Sequence, residues 1–221
     1  MILRSLGTPR CVLIGMLGVG WSAIAVGEEP TTNTGYAEPI SLELQAKMLG
    51  VTWHEGCPVP LEALSVLHIP HFDMDGQRQE GMLIVATEQA EAILQVFARL
   101  YDARFPIRQM RPAHEFGGSD DASMAADNTS AFNCRRITGG SSFSQHSYGA
   151  AIDINTIENP YIRGNTVLPP AGAAYLDRSD LRPGMITDGD VVVQAFQEIG
   201  WRWGGHWRST KDHQHFSANG R

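Results

Sequence analysis

Two short stretches constrain this chain more than anything else in it. The first, residues 144–155, reads SQHSYGAAIDIN and sets His146 seven residues ahead of Asp153. The second, residues 211–216, reads KDHQHF and brings Asp212 and His215. Side chains on a strand alternate faces, so an odd separation of seven sends His146 and Asp153 to opposite sides of a regular strand. They meet only if the chain bends between them, and Gly149 tolerates the backbone angles of a sharp bend. After the bend, residues 150–154 read as a small apolar strand carrying Asp153, with Ala150 and Ala151 leaving room for backbone or substrate. Asp212 and His215 are three apart, so one helical turn or a tight turn points both the same way.

His146, Asp153 and His215 together make two imidazoles and one carboxylate. A hydrolytic zinc ion takes three protein ligands and keeps one position open for water. Borderline-soft zinc accepts both imidazole nitrogen and carboxylate oxygen. Two neutral ligands and one anion leave the ion a net positive charge, and the pKa of its water can drop to ~7 from about 15.7 in bulk. Asp212 would stand beside such an ion without binding it, where a general base has to be. His213 is the rival to His215, which has Phe216 behind it to pack.

S-x-H-x-x-G-x-A-x-D followed far downstream by D-x-x-H resembles the zinc-dependent peptidoglycan peptidases of the VanY type. That family includes D-Ala-D-Ala carboxypeptidases and L-alanyl-D-glutamate endopeptidases. The resemblance runs from about residue 83 to residue 216. It implies zinc on His146, Asp153 and His215 with Asp212 as base, a position where many relatives carry Glu. It also implies an Arg, ahead of the His motif, that contacts substrate and steadies the oxyanion. Arg135 fits that position best, with Arg108 and Arg111 as alternatives. Ser144, Trp203 and His206 are the further candidates for substrate contact, although Trp more often packs a core. The expected reaction is hydrolysis of a peptidoglycan stem peptide, by D-alanyl-D-alanine carboxypeptidase action or, alternatively, by L-alanyl-D-glutamate endopeptidase action. A zinc-dependent module that holds wall peptides without cutting them is a third reading. Asp212 speaks against it, because a binding module has no need of a base.

The N-terminal segment belongs to a different argument. Arg4 and Arg10 precede an apolar run through Val26, and small residues at 23–27 offer cleavage points, which reads as a secretory signal over residues 1–27. The run is short for a membrane span, so no stable membrane insertion is expected after cleavage. The expected location is the periplasm or the cell wall. Of 17 basic residues, Arg4 and Arg10 leave with the signal, so 15 stand against 24 acidic ones and the net charge is −9. Such a surface argues against nucleic acid as a partner, which needs a basic face. Of three Cys, Cys11 lies in the signal; Cys57 and Cys134 remain, an even count that implies a disulfide in an oxidising compartment.

Residues 28–40 read as a polar linker and 41–221 as one catalytic domain, large enough for a sizeable core. Ser41 is a helix cap for residues through Leu49. Residues 64–71 and 81–86 read as strands around the turn Asp73-Met74-Asp75-Gly76, hence a hairpin. Thr87 opens a helix to about Arg104, with Ile93, Leu94, Phe97, Leu100 and Tyr101 at helical spacing. Residues 105–110 read as a strand, 113–130 as a long loop at the substrate rim, and 159–180 as a second surface loop. A helix over 188–199 takes Thr187 as cap and Gly200 as stop. The sum is an α+β fold: a small, mainly antiparallel sheet carrying the zinc ligands, with helices packed on one side.

Overall fold

The computed structural model describes Ile2, residues 33–137 and residues 140–221. The segment read as a signal peptide therefore lies, Ile2 apart, outside the described residues. Among the described residues no helix is long and apolar enough to cross a membrane.

The strands are β1 (Tyr36–Pro39), β2 (Leu64–Phe72), β3 (Arg78–Ala86), β4 (Ala151–Asp153) and β5 (Tyr161–Arg163). They continue with β6 (Thr166–Leu168), β7 (Arg202–Trp203), β8 (Lys211–Asp212) and β9 (His215–Ser217). The helices are α1 (Leu42–Met48), α2 (Ala90–Asp102), α3 (Asp120–Ala125) and α4 (Val191–Glu198). The strands form three small antiparallel sheets, ordered β1-β2-β3, β4-β9-β7 and β6-β5-β8. The fold is α+β, as expected, with the expected sheet divided in three.

β2 and β3 make the hairpin anticipated from the apolar runs. Asp73 builds its turn: Oδ1 accepts from the backbone N–H of Asp75 and Gln77 at 3.0 and 2.8 Å. Tyr36–Pro39, read as the end of a linker, is instead an edge strand on β2. Pro39 closes that strand, and an edge tolerates its missing donor. α1 starts at Ser41, whose Oγ accepts from the Leu44 N–H. α2 packs on β2 through Ile93, Leu94, Phe97 and Leu100, all buried.

Residues 105–110 are not a strand. They make only single bridges, Phe72↔Pro106 and Met110↔Thr129. Pro106 has no N–H to give a ladder; the Ile107 N–H bonds the Phe72 carbonyl and the Met82 N–H bonds the Met110 carbonyl, and the Asn155 side chain adds two more bonds: its Nδ2 donates to the Pro106 carbonyl and its Oδ1 accepts from the Arg108 N–H, at 2.8 and 3.0 Å. Residues 113–130 are not wholly loop either, since Ser119 caps α3 there. Residues 159–180 contain the β5–β6 hairpin and a 3-10 turn over Pro170–Tyr175. The cap of α4 is Asp190 rather than Thr187. The Asp190 carboxylate takes the N–H groups of Val192 and Val193 at 2.9 and 3.0 Å, two of the orphan donors of a helix start.

Leu67, Phe97, Ile152, Phe196 and Phe216 belong to one buried cluster that ties the first two sheets to α2 and α4. Met48, Leu64, Val66, Phe132 and Cys134 belong to a second cluster under α1. Cys57 and Cys134 are joined in a disulfide, with Cα atoms 6.0 Å apart, as the even count implied.

Candidate metal centre

The candidate ligand residues sit where local structure forces them. Residues 145–148 wind into one 3-10 turn, started by Ser144, whose Oγ accepts from the His146 N–H, and ended by Gly149 at φ 65°. A side chain at Gly149 would meet the Ala86 backbone nitrogen at 2.4 Å. The bend is thus both left-handed and pressed against β3, and glycine suits both demands. Beyond it, β4 pairs with β9 so that Asp153 stands opposite His215 and Ile152 opposite Phe216. Alternation along both strands does the sorting. Ile152 and Phe216 enter the core, where Phe216 stacks on Phe196 at 4.2 Å. Asp153 and His215 face the other way, into a cavity of about 730 Å³ that His146 and Asp212 also line.

His146, Asp153 and His215 form a tight trio. His146 Nε2 is 3.3 Å from His215 Nδ1 and 3.2 Å from Asp153 Oδ2, and His215 Nδ1 is 2.9 Å from Asp153 Oδ1. The far sides of both rings are committed. His146 Nδ1 donates to the Ala131 carbonyl at 2.7 Å, and His215 Nε2 donates to the main-chain oxygen of Arg221 at 3.2 Å. A ring nitrogen that donates to a carbonyl must carry hydrogen, so in the neutral tautomers the inward nitrogens are bare. Two lone pairs and a carboxylate then converge, and only a proton or a metal cation holds such a group together. Outer partners of this kind orient metal-binding imidazoles. The trio fits a divalent metal of borderline softness.

The titration behaviour agrees with a site built for positive charge. Burial works against the Asp153 charge, yet His146 and His215 hold its carboxyl well below the usual range. Burial alone would lower His215, but the hydrogen bond and charge of Asp153 raise it to about 9. Asp212 is a neighbour of another kind. It comes from β8, in the third sheet, opposite Tyr161, so Asp212 and His215 belong to two strands and not to one helical turn. Burial pushes its carboxyl up to about 7, with His215 opposing. Its Oδ1 is buried and has no hydrogen-bond partner, which leaves an acceptor available at the cavity.

Arg135 lines the same cavity. Its Nη2 bonds Asp120 Oδ2, from the first turn of α3, at 2.8 Å. Ser147 anchors the backbone of Arg135 on both sides, accepting from its N–H at 2.9 Å and donating to its carbonyl at 2.7 Å. The rivals Arg108 and Arg111 are turned to other acids, Asp127 and Glu115, and neither lines the cavity. Ser144 does line it.

Trp203 and His206 do not reach the cavity. Trp203 is buried in the core, and its Nε1 donates to the His213 carbonyl at 2.8 Å. His206 points outward to Asp188 at 2.7 Å, with 46% of its side chain exposed. Trp207 takes the place expected of Trp203. It lines the cavity, with its ring 5.5 Å from that of His215. His213, the rival ligand, packs beside Trp203 at 5.6 Å, away from the trio. The sequence reading also missed Asp120 and Tyr161 in the cavity wall. The adjacency of Trp207 to the second motif was the available sign for it. Asp120 arrives through a long-range pairing that no local pattern marks.

Residues 138–218 match a family model described as D-alanyl-D-alanine carboxypeptidase. The matched stretch covers less than half of the chain and contains His146, Asp153, Asp212 and His215, while Arg135, Asp120 and both disulfide cysteines precede it. No curated protein and no solved structure matches the chain. Trio, cavity and match together support a metal-dependent peptidase whose substrate is a peptide.

Proposed function

We propose that the protein is a zinc metallopeptidase that hydrolyses peptidoglycan stem peptides as a D-alanyl-D-alanine carboxypeptidase. One observation carries the reading: His146, Asp153 and His215 converge in a cavity with the unpartnered Oδ1 of Asp212, inside the stretch matched by the carboxypeptidase model. Zinc is the metal best suited to two imidazoles and one carboxylate in a hydrolytic site. When bound, it supplies Lewis acidity, acidifying water and polarising a carbonyl.

The chain's own groups do the rest. Asp212 takes the proton of the attacking water and returns it to the leaving amine nitrogen. Arg135 brings a guanidinium to the charge that grows on the carbonyl oxygen. The carbonyl of Ala131 keeps His146 turned so that Nε2 faces the metal. Residues 1–27 and the disulfide support action outside the cytoplasm, in the periplasm or at the wall, because disulfides persist in oxidising compartments.

The Asp120–Arg135 pair favours a second reading, L-alanyl-D-glutamate endopeptidase action. A substrate's free terminal carboxylate would have to compete with Asp120 for the guanidinium, whereas an internal peptide bond brings no such rival. The test is one experiment with two readouts. The purified protein is analysed for metal and then incubated with wall peptides of defined length, and the products are weighed. We expect one zinc per chain and release of the terminal D-alanine. His146→Ala, Asp153→Ala and His215→Ala should each lose metal and activity. Cleavage after L-alanine would select the endopeptidase reading, and full zinc retention in all three variants would overturn the site.

A further inference from the structure

A second set of metal-binding atoms lies outside the trio. We infer that His54, Cys57 and Cys134 form a soft-metal site when the Cys57–Cys134 disulfide is reduced. Their donor atoms lie within 4.8 Å of one another. His54 Nδ1 donates to the Glu55 carbonyl at 2.9 Å. That leaves Nε2 bare, 3.7 Å from Cys134 Sγ. The outward partner thus fixes the inward nitrogen, by the same device that orients His146.

Hydrogen bonds hold this frame besides the S–S bond. His54 and Cys57 sit on one turn, closed by the Cys57 N–H on the His54 carbonyl at 3.1 Å. Gly56 takes the left-handed φ of 91° that the turn needs. The His54 N–H points at Cys57 Sγ at 3.3 Å, a contact that strengthens if the sulfur becomes a thiolate. Cys134 is brought to the turn by its own N–H, which bonds the Thr52 carbonyl at 2.9 Å. His54 and Cys57, separated by two residues on a turn, have the close spacing of one ligand pair of a zinc site, and Cys134 adds a third donor.

The donor set selects the metal. Two thiolates and an imidazole favour Zn²⁺ over Mg²⁺ or Ca²⁺, which want oxygen. Cys134 is buried while His54 is exposed, so one side faces solvent and water can complete four-coordination. Reduction by a trialkylphosphine balances as follows: the S–S bond breaks, the phosphine becomes its oxide with an oxygen from water, and the two sulfurs take the hydrogens. Metal binding then displaces both thiol protons. The consequence is a staple with two forms, covalent or metal-bridged. Cys134 adjoins Arg135 and is three residues from Ala131, so either form steadies the segment that orients His146.

The test counts zinc on the folded full chain before and after phosphine treatment, by native mass spectrometry. The reading is the increment, which is independent of what the trio binds. We expect one additional zinc per chain on reduction, none in Cys57→Ser, and binding weaker by more than about tenfold in His54→Ala. His54→Ala keeps the disulfide and serves as the folded control. Cobalt in place of zinc should give a thiolate charge-transfer band in the reduced chain alone. No increment on reduction, or equal affinity in His54→Ala, overturns the inference.

Discussion

Replacing Glu158 by Gln should change how stability depends on pH. Glu158 is 2% exposed. Its Oε1 has Arg108 Nη2 at 3.5 Å and the Tyr175 hydroxyl at 3.4 Å, and its Oε2 has no partner. The buried Asp127 carboxylate shares the same arginine, with Arg108 Nε at 3.2 Å. One guanidinium therefore faces two acids. Burial first, then the hydrogen bond and charge of Asp127, push Glu158 from 4.5 up to about 7. A carboxyl whose pKa rises on folding holds its proton more tightly in the native state. The contribution of Glu158 to stability thus falls as pH climbs from 4.5 to about 7 and is constant above that. At about 1.4 kcal/mol per pH unit the loss is about 3 kcal/mol. Glutamine keeps the shape and cannot ionise, so its amide can donate to Asp127 at every pH. Urea unfolding of both proteins from about pH 4.5 to about pH 8, with stability extrapolated to water, should show the variant gaining about 3 kcal/mol on the wild type across that span. Parallel curves would refute the argument. The outcome bears on the site, because residues 154–160 join β4, which carries Asp153, to β5, which pairs with the strand of Asp212.

Three further outcomes are expected. Asp212→Asn should keep its metal, measured by elemental analysis, while hydrolysis drops by about 10²-fold or more; metal loss would make Asp212 a ligand. Reducing the disulfide in the presence of a chelator should cost about 4 kcal/mol in urea unfolding, from a sequence separation of 77; an unchanged midpoint would refute this. Gly149→Ala should cost about 2 kcal/mol or more, since the residue has φ 65° and its Cβ would lie 2.4 Å from the Ala86 nitrogen, and metal affinity should drop with it. A variant as stable as the wild type would refute the strain.

Local pattern carried the sequence reading as far as local causes reach. The hairpin of β2 and β3 was legible because two apolar runs flank a turn whose Asp73 bonds its own neighbours. The run over 105–110 looked like a strand for the same compositional reason, but its backbone bonds are scattered over several partners, among them the Asn155 side chain, nearly fifty residues downstream. The hairpin of β5 and β6 hid in a stretch rich in Pro, Gly and Asn, because its strands are three residues each. Asp190 lost to Thr187 as the expected cap because both are good caps, and the choice depends on which carboxylate or hydroxyl meets the free N–H groups.

The candidate metal trio was legible for a related reason: His146, Gly149 and Asp153 fall within one short motif, and His215 within another. Trp203 was misassigned because its environment is decided by register, which two-residue strands do not announce. The register itself leaves no choice. β7 pairs with β9 so that Trp203 stands opposite Phe216, and residues opposite each other in an antiparallel pair share a face. His215 faces the cavity, so Phe216, the next residue, faces the core. Trp203 must follow Phe216 inward, and its ring lies 6.4 Å from that of Phe216. Once the direction of His215 is fixed, the burial of Trp203 follows from alternation alone, and the aromatic beside His215 has to come from the next turn of the chain, at Trp207.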